Sequence, residues 1–121
     1  MFNSRQKGQR GERETADLIG RLSGVKYRRV PASGGIHEFN PWDIMKVENK
    51  RSIFDGIGIE VKNVEHPQFK KWIEQCKVSE ADSKVFKWFI AWRHRGEWYF
   101  MLNQRYFEHL TSRESGTKIQ P

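Results

Sequence analysis

The residues Ile57-Gly58-Ile59-Glu60-Val61-Lys62 combine a carboxylate and an amine within one stretch of β-forming side chains. Because side chains alternate faces along a strand, we expect Gly58, Glu60 and Lys62 to share one face and the apolar residues to face the core. Glu60 and Lys62 would then lie ~6.6 Å apart along the strand, with the glycine leaving space beside them. This spacing predicts a polar site on a buried strand.

A second carboxylate, Asp43, lies upstream at a distance that a hairpin could span. We predict strands over residues 42–47 and 53–61, joined by a turn, and their pairing would bring Asp43 beside Glu60. Together with the backbone carbonyl of Val61, the two carboxylates would form an all-oxygen site. Such a site suits Mg²⁺ or Mn²⁺, which accept carboxylate, water and phosphate oxygens as ligands.

Two residues near this site have competing interpretations. Asp55 is a rival of Asp43, but only four residues separate it from Glu60, too few for a hairpin that brings the two carboxylates together. Lys62 would either stabilise negative charge at a phosphorus atom or hold the attacking water. The alternative for Lys62 is a plain ion pair across the strand face.

The first predicted helix supplies a third carboxylate. Apolar residues at helical spacing predict this helix over residues 11–22, and the pair Ser23-Gly24 should end it. At ~100° per residue, Glu12 points with the apolar stripe toward the sheet, whereas Glu14 lies ~200° away and should face solvent. An inward-facing acidic side chain is costly unless it is paired or binds metal. Glu12 is therefore a candidate metal ligand or an anchor for a metal-bound water.

The remaining pattern predicts the elements that hold these residues in place. We expect a strand at 25–30, a helix with its apolar stripe at 69–76, a strand pair at 85–92 and 98–102, and a last short helix through Leu110 that Asn103 caps. This order predicts an α/β fold, α+β by stricter definitions, in which a small mixed sheet is flanked by helices. We expect one domain over residues 1–110 and mobility of residues 7–13 and of the polar tail 111–121.

The charge of the chain favours a polyanionic partner. Its 121 residues include 22 Lys plus Arg against 15 Asp plus Glu, a net charge of +7, and its pI is about 9.8. Lys and Arg neutralise phosphates and release counterions, so nucleic acid is the expected partner, with a merely basic surface as the alternative. The candidate phosphate contacts are Arg28, Arg29, Lys70, Lys71, Arg93 and Arg95.

Other classes of protein fit the composition less well. No apolar run approaches the ~20 residues of a membrane span, and the N-terminal residues lack the apolar stretch of a signal peptide. The single cysteine, Cys76, excludes an internal disulfide framework and a multi-cysteine zinc site. We expect a soluble cytoplasmic protein.

Taken together, these residues resemble a known signature. Asp43 followed by Glu60-Val61-Lys62 resembles the Asp…(Asp/Glu)-x-Lys pattern of the PD-(D/E)xK nuclease superfamily, although Trp42 separates Pro41 from Asp43. The helix start Gly11-Glu12-Arg13-Glu14 and the loop Ser33-Gly34-Gly35 are similar to archaeal-type Holliday junction resolvases, which some phages also carry. The resemblance extends from about Lys7 to Trp92, and it implies a restriction-endonuclease-like core of order α-β-β-β-α-β-β.

The resemblance also implies roles and partners. It makes Glu12, Asp43 and Glu60 the metal-site carboxylates, Lys62 the catalytic lysine and Ser33 a residue of the active-site loop. It implies a Mg²⁺- or Mn²⁺-dependent endonuclease that acts as a homodimer on branched DNA, in the host cytoplasm if a phage encodes it. A restriction-type or other structure-specific DNA nuclease, and a non-catalytic nucleic-acid-binding protein with the same fold, are the alternatives.

Overall fold

The computed structural model of the chain describes residues 3–31 and 40–119. The elements run in the predicted order and end with a third helix: α1 (Ser4–Ser23), β1 (Tyr27–Arg29), β2 (Ile44–Lys46), β3 (Ile57–Lys62), α2 (Phe69–Ser83), β4 (Lys87–His94), β5 (Glu97–Leu102) and α3 (Gln104–Ile119). β3 pairs with β4 in parallel and β4 pairs with β5 antiparallel, so the sheet β3-β4-β5 is mixed. The predicted α/β fold with a small mixed sheet flanked by helices is confirmed.

The predicted hairpin between the second and third strands was wrong. β2 forms an antiparallel ladder with β1, in which Arg28 pairs with Met45. Between the two sheets, the Asp43 N–H donates to the Ile59 carbonyl at 2.9 Å. The extended runs in the sequence show where strands lie, but residues of β2 could satisfy their backbone groups with either neighbour. The predicted contact between Asp43 and β3 is present even without the hairpin, because the single hydrogen bond to Ile59 is enough to bring Asp43 to that strand.

α1 begins earlier than the apolar pattern indicated. The Asn3 side chain accepts the Gln6 N–H at 2.9 Å, and the Gln6 side chain accepts the Asn3 N–H at 3.3 Å. This reciprocal capping box satisfies two backbone donors at the helix start. Residues 7–13, which we predicted to be mobile, therefore belong to the helix. Its end at Gly24, in the left-handed region with φ 73°, agrees with the prediction.

The last helix is capped as predicted but is longer. The Asn103 side chain accepts the Tyr106 N–H at 3.1 Å, and the helix runs to Ile119 instead of ending at Leu110. The apolar periodicity stops near Leu110, so the polar turns beyond it carried no signal of a helix. The mobility of residues 111–121 stays a prediction.

The two faces of the β3-β4-β5 sheet pack against different helices. On the first, here called the α1 face, side chains of β3 and β4 join a buried apolar cluster with α1 and with Tyr106 of α3. On the second, the α2 face, the cluster consists of Trp42, Trp72, Cys76, Trp88 and Ile90. Ile59 and Val61 point to the α1 face, which confirms the alternation predicted for β3. Within residues 3–31 and 40–119, no helix is both long enough and apolar enough to cross a membrane.

Candidate active site

Asp43 is held against β3 by its own backbone. Its carbonyl accepts the Val30 N–H at 2.8 Å and its N–H donates to Ile59 at 2.9 Å, so the residue bridges the ends of the two sheets. The Asp43 carboxylate then accepts the Val61 N–H at 2.7 Å. The side chain lies beside the strand that carries Glu60, as the sequence predicted.

Trp42, the residue that interrupts the familiar Pro-Asp pair, has a packing role. Its indole is buried on the α2 face, and a Cβ placed on Gly58 would overlap that ring. The Trp42 indole N–H donates to the Ser83 hydroxyl at 3.0 Å, which fixes the ring over the glycine. The space that Gly58 leaves is therefore filled by Trp42, which places the following residue, Asp43, at the sheet.

Glu60 and Lys62 share the α2 face and form an ion pair. The Lys62 Nζ lies 3.3 Å from Glu60 Oε2, and the two side chains are only 17% and 13% exposed. The ammonium also donates to the Gln75 side-chain carbonyl at 2.7 Å and lies 5.8 Å from the ring centre of Trp72. Gln75 and Trp72 come from α2, so the helix orients the lysine. Sequence reasoning missed this contact of Gln75, because a glutamine on a helix carries no signal of its partner.

Glu12 and Glu14 occupy different surroundings on α1. Glu12 Oε1 lies 3.1 Å from Arg29 Nε, and its charge raises the pKa of both Asp43 and Glu60, so it faces the site as predicted. Glu14 does not simply face solvent, since it is half-buried and lies 3.1 Å from Arg10 and 3.5 Å from Arg93. The prediction that Glu14 faces solvent was wrong, because Arg93 of β4 reaches it, and helical angles do not show partners on other elements.

The carboxylates accumulate negative charge in a desolvated place. Burial, the nearby charge of Glu60 and the more distant charge of Glu12 raise the pKa of Asp43 to about 8, against the hydrogen bond from Val61. Burial also raises the pKa of Glu60, although Lys62 opposes the shift. Repulsion of this kind is offset when a divalent cation binds between carboxylates. The donor set thus fits a hard metal ion with oxygen ligands.

The described carboxylates do not converge on one point. Among residues 3–31 and 40–119, no group of three or more His, Cys, Asp or Glu side chains has metal-binding spacing. The Glu12 carboxylate pairs with Arg29 and does not meet the carboxylates of Asp43 and Glu60 at one point. It is still near enough for its charge to add to the effects of burial and of Glu60 on the pKa of Asp43. Asp43 lies beside β3 through its bond with Val61, and Glu60 is the neighbour of Val61 on that strand.

A cavity of about 410 Å³ opens beside Asp43, and both Glu12 and Arg29 line it. Arg5 and Gln9, from the part of α1 that sequence reasoning placed outside the helix, line it too. Because the predicted helix began at residue 11, these side chains had no predicted position near the site. The capped start at Asn3 is the signal that could have found them.

The other predicted site residues are distributed as follows. Asp55 is 45% exposed and pairs with Lys46 at 2.7 Å, which removes it as a rival of Asp43. Ser33 lies outside the described residues. Two of the predicted phosphate contacts, Arg29 and Arg93, form the ion pairs with α1 described above. The other four have exposed side chains: Arg28, Lys70, Lys71 and Arg95.

The fold defines the class of the protein. The structure matches that of Hjc, a Holliday junction resolvase of the archaeal hyperthermophile Archaeoglobus fulgidus, with a TM-score of 0.51 and 21% identity over 78% of this chain and 76% of that chain. The three helices and the small mixed sheet of this chain are consistent with the nuclease fold of Hjc. The predicted likeness to the PD-(D/E)xK nuclease superfamily and to resolvases of the archaeal type is confirmed.

The family follows from the sequence comparison. Residues 3–120 match the family described as "Phage putative PDDEXK endonuclease", and the chain belongs to this family. It is also 26% identical over 119 residues to Protein D14 of Escherichia phage T5, covering 84% of this chain and 71% of that protein.

Proposed function

We propose that this member of the phage endonuclease family hydrolyses DNA phosphodiester bonds with Mg²⁺ or Mn²⁺, acting on branched DNA such as Holliday junctions. The observation that carries the proposal is the arrangement on β3. The Val61 N–H joins the strand to Asp43 at 2.7 Å, and the Lys62 ammonium lies 3.3 Å from Glu60. A largely buried ion pair of Lys62 and Glu60 beside a second carboxylate, that of Asp43, is costly for stability and useful for phosphoryl transfer.

The metal would be held by the carboxylates of Asp43 and Glu60 and by the Val61 backbone carbonyl, with Glu12 contacting it through water. A bound divalent ion lowers the pKa of a coordinated water and offsets charge on the phosphate. The positive charge of the ion would also stabilise the ionised carboxylates. Without the ion, burial and the charge of Glu60 raise the pKa of Asp43 to about 8. Asp43 would therefore lose its proton when the ion binds, so binding should release a proton near neutral pH.

Lys62 would act on the phosphate. Its ammonium is held by Gln75 at 2.7 Å and by Glu60 at 3.3 Å, so the charge is oriented before substrate arrives. In this position the lysine either stabilises the negative charge that grows on the phosphoryl oxygens or holds the attacking water. Ser33 would contribute as the active-site residue that the family resemblance implies.

DNA affinity would come from the basic residues outside the chemistry. Arg28, Lys70, Lys71 and Arg95 are exposed, and together with Arg29 and Arg93, which pair with α1 in the free protein, they would contact phosphates of the bound DNA. Two copies of the chain would act together, one on each of two strands of a branched substrate. The protein would work in the cytoplasm of the phage host.

The decisive experiment incubates purified protein with four-way junction, flap, nicked and linear DNA of matched sequence, each with Mg²⁺, with Ca²⁺ or with EDTA. Cleavage of the junction in Mg²⁺ and binding without cleavage in Ca²⁺ are the expected results. Full cleavage in excess EDTA would refute the metal mechanism. Preference for one linear sequence would favour a restriction-type enzyme, and binding without cutting under every condition would favour a non-catalytic protein.

A further inference from the structure

A row of side chains crosses the α2 face from Lys62 to the edge of the sheet. Lys62 is the partner of Trp92 in the parallel β3-β4 ladder, and Trp92 is the partner of Tyr99 in the antiparallel β4-β5 ladder. Side chains of directly paired residues lie on the same face of a sheet. The aromatic residues therefore continue a line that begins at the proposed catalytic lysine.

Phe69, from the first turn of α2, joins this line. Its ring centre lies 5.5 Å from that of Trp92, and Trp92 lies 6.1 Å from Tyr99. We call Phe69, Trp92 and Tyr99 the aromatic row. The Trp92 indole N–H donates to the Val64 carbonyl at 3.0 Å, so the central ring has a fixed orientation.

The two outer rings of the aromatic row are more exposed than the rest of the α2 face, and Trp92 between them is half-buried. Phe69 is 42% and Tyr99 is 47% exposed, whereas Trp88 and Ile90 on the same face are buried. Packing of α2 on the sheet is achieved by Trp72 and Cys76, so it does not require the outer parts of the row. Exposed rings arranged next to a polar site are surfaces on which another flat molecule can stack.

The charges around the aromatic row suit a polyanion. Lys70 and Lys71 directly follow Phe69, and Arg95 lies in the turn between β4 and β5, all with exposed side chains. Glu97 is the acidic neighbour, and it accepts the Tyr99 hydroxyl at 3.2 Å. Aromatic rings interleaved with basic side chains are the usual composition of a surface for single-stranded nucleic acid.

We infer that the aromatic row stacks on unpaired bases of a single-stranded DNA segment next to the phosphate that is cut. This inference rests on the proposed nuclease function and narrows its substrate class to DNA with unstacked bases near the cleavage point, such as a flap or an opened junction. Bases inside an intact duplex have no free face to offer. Tyr99 lies two strand spacings, ~10 Å, from Lys62, so the stacked base belongs to a nucleotide close to the scissile phosphate.

The test measures binding in EDTA, where no cleavage occurs, by fluorescence anisotropy. The probes are a labelled duplex, the same duplex with an oligothymidine arm, and the oligothymidine alone. For Tyr99→Ala we expect about tenfold weaker binding of both probes with an unpaired strand, equivalent to ~1.4 kcal/mol, and less than twofold change for the duplex. Tyr99→Phe should bind like the wild type, because the ring and not the hydroxyl stacks.

The matched control is Phe107→Ala, which removes a 60% exposed ring on α3, away from the row, and should change none of the affinities. Unchanged binding by Tyr99→Ala and Phe69→Ala, or equal losses for duplex and armed probes, would overturn the inference. A change of oligomeric state in Tyr99→Ala, seen by light scattering, would show that the row is a protein interface and would overturn it as well. The binding assay needs no cleavage. If the wild type cuts no DNA but Tyr99→Ala still loses affinity only for the probes with an unpaired strand, the proposed function is refuted and the stacking inference stands.

Discussion

The two faces of the β3-β4-β5 sheet differ in the side chains that the same strands bury on them. On the α1 face, Ile59, Val61 and Phe89 are buried against α1 and α3, and their packing is apolar. On the α2 face, the same strand presents Glu60 and Lys62, which are largely buried as well. One face contributes hydrophobic stabilisation, and the other loses stability by desolvating charge.

The tryptophans show how charged and apolar groups coexist on the α2 face. The indole N–H of Trp42 donates to Ser83 at 3.0 Å and that of Trp88 donates to the buried Glu80 at 2.6 Å. Each ring covers a large apolar area while its polar atom has a partner. Both rings belong to the buried cluster of the α2 face. Burial, with help from the nearby Glu60, likewise raises the pKa of the Cys76 thiol to about 12. Compared with the apolar α1 face, the α2 face therefore holds several ionisable side chains among its buried rings, including Glu60, Lys62 and Glu80.

The sharpest test of this comparison is Lys62→Ala, which removes the cation from the α2 face. The interaction of Lys62 should be stronger in the transition state than with bound substrate, so we expect cleavage to fall by about 10²–10³-fold while junction affinity stays within a few fold. Single-turnover rates and gel-shift affinities measure the two effects. Lys77→Ala, on the exposed part of α2, is the control and should leave both unchanged. Parallel loss of binding and cutting would make Lys62 a phosphate anchor.

The corresponding change on the α1 face is Ile59→Ala. The side chain is fully buried there, so its truncation should lower the free energy of unfolding by about 2–4 kcal/mol. Urea unfolding followed by tryptophan fluorescence measures the loss. At a temperature where the variant is folded, cleavage should remain within a few fold of wild type. A stable but inactive variant would mean that the two faces are not separable.

Glu12→Gln and Glu14→Gln compare two carboxylates of α1 that have arginine partners. Glu12 adds charge to the field at Asp43, so its neutralisation should slow cleavage at least about tenfold, whereas Glu14→Gln should stay within about twofold. Glu12→Gln loses the ion pair with Arg29 and Glu14→Gln loses those with Arg10 and Arg93, so a slower reaction of Glu12→Gln reflects the site and not the loss of pairs. Initial rates in saturating Mg²⁺ decide the matter. Equal rates would indicate that Glu12 is structural.

The smallest expected effect is on stability against pH. Burial and Glu60 raise the pKa of Asp43 from 3.8 to about 8, so between these values the metal-free folded chain binds more protons than the unfolded chain. Stability should therefore fall as pH rises through this window, and Asp43→Asn should raise the melting temperature by a few degrees at pH values above 8. Thermal unfolding in EDTA at several pH values measures this.

The control for that prediction has the opposite sign. Lys46 lowers the pKa of the exposed Asp55, so Asp55→Asn should leave stability unchanged or slightly reduced at the same pH values. If Asp43→Asn destabilises the metal-free protein at high pH, the carboxylate contributes more through its bond with Val61 than it costs through repulsion.

The sequence by itself determined the alternation of β3, the order of the elements and the residues of the signature. These follow from local rules, since a strand has a period of two and a helix a period of 3.6 residues. For the same reason the pattern of α1 placed Glu12 on the side of the helix that faces β1, although it did not show that Glu14 is half-buried beside Arg93. The +7 charge and the motif also indicated nucleic acid before any contact was known.

Only the tertiary structure decided which strands pair, what covers Gly58 and what holds Lys62. Either β1 or β3 could pair with β2, and in the structure β2 pairs with β1. Trp42 fills the space at Gly58, and Gln75 reaches Lys62 from a helix that begins only after β3 ends. The pKa of Asp43 depends on burial and on charges distant in sequence. Contacts of this kind arise when separate elements pack, so no local period in the sequence encodes them.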